Sequence, residues 1–234
     1  IMKMRLRTIL SLSILILSVV SGETSAQANA SDEVYLFSSF RGNGEDGLHL
    51  AYSRDGMKWT ALKSNKSFLQ PMVGGKLMRD PCVIQGPDGL FHMVWTTSWR
   101  DKGIGIAHSK DLINWSKQEF VPVMKHESKA RNCWAPEITW DPDKKQYVIY
   151  WATTIPDQFT ETAKAADKGW NHRMYCTTTK DFKSYTKTRL FYNPGFNVID
   201  STIIHAQGRY IMITKDETRH PPAKNLHIAA SDKV

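Results

Sequence analysis

Cysteine is scarce in this chain of 234 residues, which contains only Cys82, Cys133 and Cys176. A small, odd number of cysteines argues against a disulfide framework. Because each one lies in a strand-like run, we expect buried free thiols. The chain also shows no cluster of histidine, cysteine and carboxylate residues at metal-ligand spacing, so we predict no metal site.

Long apolar segments are almost absent, and the one candidate lies near the N-terminus. Lys3, Arg5 and Arg7 precede the apolar run 9–20, and small residues follow as far as Ala28. This order is typical of a secretory signal peptide, which we place at residues 1–28. A membrane anchor is the alternative, but the run is shorter than the roughly 20 residues that span a bilayer. We therefore expect an exported domain, periplasmic or extracellular, at residues 29–234, with no membrane segment after cleavage.

The formal net charge is +8, yet the basic residues are scattered and no basic run is interleaved with aromatic residues. This pattern argues against a nucleic-acid partner and favours a solvated basic surface, with an acidic polysaccharide as the minor alternative. Nothing in the sequence indicates an oligomeric state.

A pattern of nine or ten residues, alternating apolar residues followed by a polar turn, occurs four times, and it is typical of a half-buried strand that enters a tight turn. Three copies are followed, four residues after their end, by an aromatic residue (Trp59, Trp115 and Tyr185), which we expect in the core. The copies are 46–55, 102–111, 172–181 and 224–232. Repetition at this spacing, with other strands between the copies, predicts a β-propeller with one copy per blade.

A different kind of strand precedes three of the repeats and begins at Arg79, Trp134 and Ile199. We interpret these as the innermost strands of their blades. The first blade has no such strand in the predicted mature chain, and the fourth stops at Val234 inside its repeat. We therefore expect an all-β, incomplete propeller with almost no helix, which is a fragment of a longer gene product.

Alignment of the three inner strands places Asp80, Ala135 and Asp200 at the same position. In a propeller this position begins the innermost strand, beside the central channel. Two carboxylates that converge there suit hydrolysis of a glycosidic bond, in which one takes a proton from water. The alternative is that both aspartates are turn or cap residues.

The sequence resembles glycoside hydrolase family 43 across nearly all of the predicted mature chain. The matching pieces are Arg79-Asp-Pro, Trp134-Ala-Pro-Glu-Ile, Val198-Ile-Asp and the turn from Ser109 to Trp115. The resemblance implies a five-bladed propeller, of which about three and a half blades are present. It also implies a carbohydrate substrate, cleaved with inversion, among the arabinosides, xylosides or galactosides of plant polymers.

By motif, Asp80 corresponds to the general base of that family, and Asp200 to the aspartate that orients the acid and modulates its pKa. The family's general acid is a Glu in a Glu-Gly-Pro motif on the next inner strand, and no such motif follows Asp200. Glu137 is the alternative acid, because strand alternation places it on the same face as position 135. The resemblance requires no cofactor. It is compatible with calcium in the central channel, although no residue demands one.

Loops between the second and third strands of each blade should lie on the substrate side. Stacking and hydrogen bonding to a sugar need aromatic and basic side chains there, with framework or surface roles as the alternative. The candidates are Trp99, Phe159, Trp170 and Arg219 in these loops, together with Trp134 beside an inner strand. We expect the insertion 156–171 to form a short helix or a flap.

Three rival interpretations remain open. The segment from Ser53 to Trp59 resembles the Asp-box of sialidases, but its spacing is one residue short and no set of three arginines is evident. A fructosidase would need an Asn-Asp-Pro motif before Arg79, and none is present. The third rival is a non-catalytic glycan-binding propeller.

Because the expected acid lies beyond Val234, we predict that residues 29–234 alone are catalytically silent and prone to aggregation. Release of nitrophenol from aryl arabinosides and xylosides measures this. Robust turnover by the purified segment that Glu137→Gln abolishes would contradict the prediction and would identify Glu137 as the acid.

Overall fold

The computed structural model describes residues 2–5 and 33–234. Most of the predicted signal peptide lies outside the described residues, so that interpretation stays a prediction. Within the described ranges, no helix is long and apolar enough to cross a membrane.

Fifteen antiparallel strands in the described residues form four sheets. The first sheet contains β1 (Met2–Arg5), β2 (Glu33–Ser39), β3 (His49–Ser53) and β4 (Thr60–Ala61). The second contains β5 (Arg79–Gln85), β6 (Phe91–Thr96), β7 (Ile104–Ser109) and β8 (Glu119–Val121). The third contains β9 (Trp134–Asp141), β10 (Gln146–Thr154), β11 (His172–Thr179) and β12 (Arg189–Tyr192). The fourth contains β13 (Val198–Ala206), β14 (Arg209–Asp216) and β15 (Leu226–Ser231).

Each sheet is an up-and-down meander in chain order, and the first strand of the third sheet contacts the first strands of the second and fourth sheets. Within residues 2–5 and 33–234, helix is confined to α1 (Thr160–Ala163) and a single 3₁₀ turn (Lys63–Asn65). The prediction of an all-β, incomplete propeller with almost no helix is confirmed.

At the inner edge of the first blade, where residues 29–234 were expected to supply no strand, lies a strand from within the predicted signal peptide. Strand β1 pairs antiparallel with β2, with Met2 opposite Leu36 and Arg5 opposite Glu33. Without it, the backbone N–H and C=O groups along that edge of β2 would lack partners. The first three sheets therefore have four strands and the fourth has three, in line with the expectation of about three and a half blades.

The repeated turn owes its sequence to a set of side-chain to backbone hydrogen bonds. In the second copy, Asp111 Oδ1 accepts from the amides of Ile113 and Asn114, while Ser109 Oγ accepts from the amide of Leu112. Leu112 has a φ of 66°. The same bonds recur at Asp55 and Asp181, where the equivalent left-handed residues are Gly56 and Phe182. The Ser/Thr-x-Asp pattern therefore specifies this turn.

The cores lie between neighbouring sheets because successive residues of a strand face opposite blades. Val94 belongs to the cluster between the second and third sheets, whereas Trp95 belongs to the cluster between the first and second. Trp95 lies directly opposite Gly105 on β7. A Cβ at Gly105 would come within 2.0 Å of the Trp95 ring, so only glycine fits there.

The smaller predictions about the core are mostly confirmed. All three cysteines are free, with Cys133 and Cys176 buried and Cys82 partly exposed. Trp115 and Tyr185 are only half-buried. Trp115 packs against the cluster between the first and second sheets, and Tyr185 against the cluster between the second and third sheets. Trp59 is also half-buried and contacts Phe37 with a ring-centre distance of 5.6 Å.

We predict that Asp111→Ala lowers the unfolding temperature at pH 7. Backbone and side-chain hydrogen bonds from Asn114 hold the pKa of Asp111 below its ordinary value. A depressed folded-state pKa stabilises the protein above the unfolded-state pKa, and this stabilisation is lost as the pH falls through the folded-state pKa. Thermal unfolding should therefore separate variant from wild type at pH 7 and bring them together in acid.

The control is Asp143→Ala, because the Asp143 carboxylate has no hydrogen-bond partner among the described residues. An equal fall in unfolding temperature at pH 7 in Asp111→Ala and Asp143→Ala would contradict the stabilising role of the Asp111 hydrogen bonds.

Candidate active site

The inner strands begin with the same unusual backbone conformation at Asp80, Ala135 and Asp200, whose φ angles are 50°, 44° and 53°. At each of them the pairing with the next strand shifts register, as in a β-bulge. Left-handed conformations are costly for residues other than glycine and cluster at functional sites. The aligned sequence positions are therefore equivalent in the backbone as well.

Asp80 is half-buried, and a short hydrogen-bond relay links it to the neighbouring blade. Thr96 Oγ1 donates to Asp80 Oδ2 at 3.1 Å and accepts from the amide of Ala135 at 2.8 Å. Burial raises the pKa of Asp80, and the charge of Asp200 raises it further. The Thr96 hydrogen bond and the charge of Arg79 oppose the rise. Asp80 and Asp200 are thus close enough to interact electrostatically.

Asp200 has a more open and more positively charged environment. Its side chain is 46% exposed, and Lys215 Nζ lies 2.9 Å from its Oδ2. Burial alone would lower the pKa of Lys215, but the hydrogen bond and charge of Asp200 outweigh burial and raise it. Lys215 therefore stays charged and holds Asp200 in place.

Glu217 is a carboxylate that the sequence reasoning missed. Its side chain is 14% exposed, and it pairs with Lys215 at 3.3 Å, with Arg219 at 2.8 Å and with Lys224. Burial favours a higher pKa, but the lysines outweigh burial and lower it. The loop after β14 was expected on the substrate side, and its alternating charges were the signal that could have identified this cluster.

An aromatic cavity of about 270 Å³ has Ile199, the residue before Asp200, and Glu217 in its wall. Four of the five predicted sugar contacts line it: Trp99, Trp134, Trp170 and Arg219. The Trp134 ring centre lies 5.4 Å from that of Trp99 and 4.5 Å from that of Trp170. The tryptophans thus form one continuous surface, although they come from three separate segments of the chain.

Hydrogen bonds at the polar edges hold two of the indole rings. Trp99 Nε1 donates to Asn43 Oδ1 at 3.0 Å, and Trp134 Nε1 donates to the Trp99 carbonyl oxygen at 3.2 Å. The Arg79 guanidinium lies 4.3 Å from the Trp99 ring centre. Because their N–H groups are satisfied by protein, these rings can offer apolar faces to a ligand.

His172 also lines the cavity and was not a sequence candidate. Its ring lies 5.0 Å from that of Trp134 and runs parallel to Trp170 at 5.7 Å. Burial lowers the pKa of His172 to about 4, so the ring is neutral at pH 7. Its buried Nε2 atom has no hydrogen-bond partner among the described residues.

Phe159 does not line this cavity, in contrast to the sequence expectation. It packs 4.4 Å from the guanidinium of Arg173, whose side chain is fully buried. Arg173 also binds the Thr162 hydroxyl and the Asn171 side chain. Phe159 therefore anchors the insertion 156–171, which contains α1 and includes Trp170 near its end.

Glu137 lies deeper, in a second cavity of about 290 Å³ between the blades, with Cys82 and Ile203 also in its wall. Thr202 Oγ1 donates to Glu137 Oε2 at 2.8 Å. Burial raises the pKa of Glu137, although this hydrogen bond opposes the rise. Among the described residues, no three histidine, cysteine or carboxylate side chains are grouped so that they could hold a metal ion.

A family model described as a probable glycosyl hydrolase domain, related to glycosyl hydrolase family 43, matches residues 32–234. The chain belongs to this family 43-related group. The resemblance to family 43 that the inner-strand motifs suggested is thereby confirmed.

The chain is similar to an α-L-arabinofuranosidase of Bifidobacterium longum subsp. longum. The two are 26% identical over 121 residues, which make up 49% of this chain and 11% of that protein. The chain thus spans about a tenth of the length of this curated relative.

Two solved structures share the fold. An α-L-arabinofuranosidase from Clostridium thermocellum matches with a TM-score of 0.57 and 15% identity over 86% of this chain and 65% of that one. An endo-1,4-β-xylanase from Bacteroides thetaiotaomicron matches with a TM-score of 0.57 and 13% identity over 88% of this chain and 66% of that one. The chain therefore spans just under two thirds of these proteins.

We predict that Thr96→Val raises the pKa of Asp80 further, because it removes the one side-chain donor that favours the carboxylate. The matched control is Thr154→Val, since the buried Thr154 hydroxyl has no partner among the described residues. Carboxyl-carbon NMR titration measures the Asp80 pKa in both variants. An Asp80 titration that is the same in the two variants would refute the relay.

Proposed function

We propose that the protein hydrolyses O-glycosidic bonds of the arabinoside or xyloside type in plant polysaccharides or their oligosaccharides. Membership of the family 43-related group supports the reaction class. The observation that carries the proposal is the pair Asp80 and Asp200, which start two inner strands in the same strained conformation but in opposite environments. Differing environments assign different roles to two carboxyl groups at one site.

In the proposed inverting mechanism, Asp80 is the general base. Its raised pKa makes the carboxylate a better proton acceptor, and Thr96 fixes the oxygen that does not take the proton. Asp80 removes a proton from water as the water oxygen bonds to the anomeric carbon and the glycosidic bond breaks. Asp200, held by Lys215, modulates the pKa of the group that protonates the leaving oxygen.

The general acid must carry a proton at the start of the reaction. Glu217 does not meet this need, because Lys215, Arg219 and Lys224 keep it ionised. Glu137 has a raised pKa but lies in the deeper cavity, where Thr202 holds it. The glutamate of a Glu-Gly-Pro motif, expected from the family resemblance, therefore remains our assignment, with Glu137 as the alternative.

Substrate binding is proposed for the tryptophan cavity. Trp99, Trp134 and Trp170 provide apolar faces against which a sugar ring stacks, and Arg219 lies on the cavity wall. The volume suits one or two sugar units, with the scissile bond toward Asp200. The predicted signal peptide would place the enzyme outside the cytoplasm, where it would meet such polymers.

We predict that Asp80→Asn in the product of the complete gene lowers kcat by roughly 10² to 10⁴-fold, the usual contribution of general-base assistance. Hydrolysis of aryl α-L-arabinofuranosides and β-D-xylosides, and of arabinan and xylan, measures the loss. Binding of the product sugar should change little, because Asp80 acts on water.

Asp143→Asn serves as the control, since it removes an exposed carboxylate in the β9–β10 turn. A wild-type protein that binds these glycans without cleaving any would favour the non-catalytic glycan-binding propeller instead. Unchanged kcat in Asp80→Asn would reject the base assignment.

A further inference from the structure

Two arginines lie against the tryptophan at the end of the insertion. The guanidinium carbons of Arg100 and Arg131 are 4.7 Å and 4.0 Å from the ring centre of Trp170. Trp170 lines the aromatic cavity and contacts Trp134. The two cations therefore adjoin the place where a sugar would stack.

Neither arginine forms an ion pair with a carboxylate among the described residues. Arg131 donates from Nη1 to the carbonyl oxygens of Gly169 and Lys168, which leaves Nε and Nη2 for a ligand. Burial lowers the pKa of Arg131, and the charge of Arg100 lowers it further. The positive charges of Arg100 and Arg131 thus repel each other, and neither is ion-paired with a carboxylate among the described residues.

The other cations around the cavity differ in this respect. Arg219 is paired with Glu217, and Arg79 is bound to the Asn43 side chain and packs on Trp99. Asp167 lines the same cavity, but among the described residues no ion pair joins it to either arginine. The unpaired positive charge is local to Arg100 and Arg131.

We propose that Arg100 and Arg131 bind the carboxylate of a uronic acid, carried by the substrate next to the sugar unit in the tryptophan cavity. Guanidinium groups bind carboxylates through parallel N–H donors, and their contact with Trp170 holds both planes in place. A ligand carboxylate would also relieve the repulsion between the two cations. This inference rests on the proposed function, because it names the chemical class of that substrate.

The test is calorimetric binding of a xylo-oligosaccharide that bears one glucuronic acid, compared with the neutral oligosaccharide of the same length. The product of the complete gene should bind the uronate about tenfold more tightly at low salt, since hydrogen bonds to charged groups contribute at least that much. In Arg100→Gln/Arg131→Gln the preference, measured as the ratio of the two affinities, should disappear.

The matched control is Arg54→Gln/Arg189→Gln, which removes the same charge away from the cavity. Arg189 also lies near an aromatic ring, 5.7 Å from the centre of Phe191. The control should keep the preference, and circular dichroism verifies that both double variants are folded.

Equal affinity for the two oligosaccharides, or a preference that survives in Arg100→Gln/Arg131→Gln, would overturn the inference. Equally tight binding of a sulfated xylo-oligosaccharide would overturn the assignment to a carboxylate. Hydrolysis is measured separately. Tighter binding of the uronate without hydrolysis would support the carboxylate site at Arg100 and Arg131 and would reject the proposed glycoside hydrolysis.

Discussion

The candidate site depends on a local backbone constraint, the left-handed residue near the start of three inner strands, β5, β9 and β13. The bulge displaces one residue from the pairing with the next strand, so its side chain is free of the sheet and is directed by the surrounding strands. Because three inner strands repeat this conformation, a residue at this position meets its counterparts from other blades. Two of the three positions hold aspartate, and only Ala135 contributes no functional group. Its amide instead completes the relay through Thr96 to Asp80.

The polar neighbours of the two aspartates give them different environments. Asp80 is shielded beside Thr96, whereas Asp200 is open and paired with Lys215. Lys215 also contacts Glu217, so the charge at Asp200 is coupled to the loop after β14. The same loop provides Arg219 to the aromatic cavity. The residues that we propose to recognise a ligand and the residues that set the charge of the carboxylates are therefore parts of one connected surface.

The insertion between β10 and β11 extends this surface, and the buried Arg173 side chain holds the insertion in place. Buried Arg173 fixes Phe159 and the Thr162 hydroxyl, and the insertion ends with Trp170 against Trp134. Trp170 in turn carries Arg100 and Arg131 on its ring. A fully buried and fully bonded arginine thus supports a pair of arginines that have no anionic partner among the described residues.

The sequence by itself determined what depends on local periodicity and repeated turn chemistry. Alternation identified the strands, Ser/Thr-x-Asp specified the turns, and alignment of the inner strands placed Asp80 and Asp200 at equivalent positions. Family membership followed from the same short motifs. The tertiary structure decided what depends on neighbours distant in sequence. It buries His172 as a neutral ring and pairs Glu217 with basic side chains. It also places Phe159 outside the cavity and pairs β1 with β2. A side chain's burial and the charges around it come from other blades, and no local pattern encodes them.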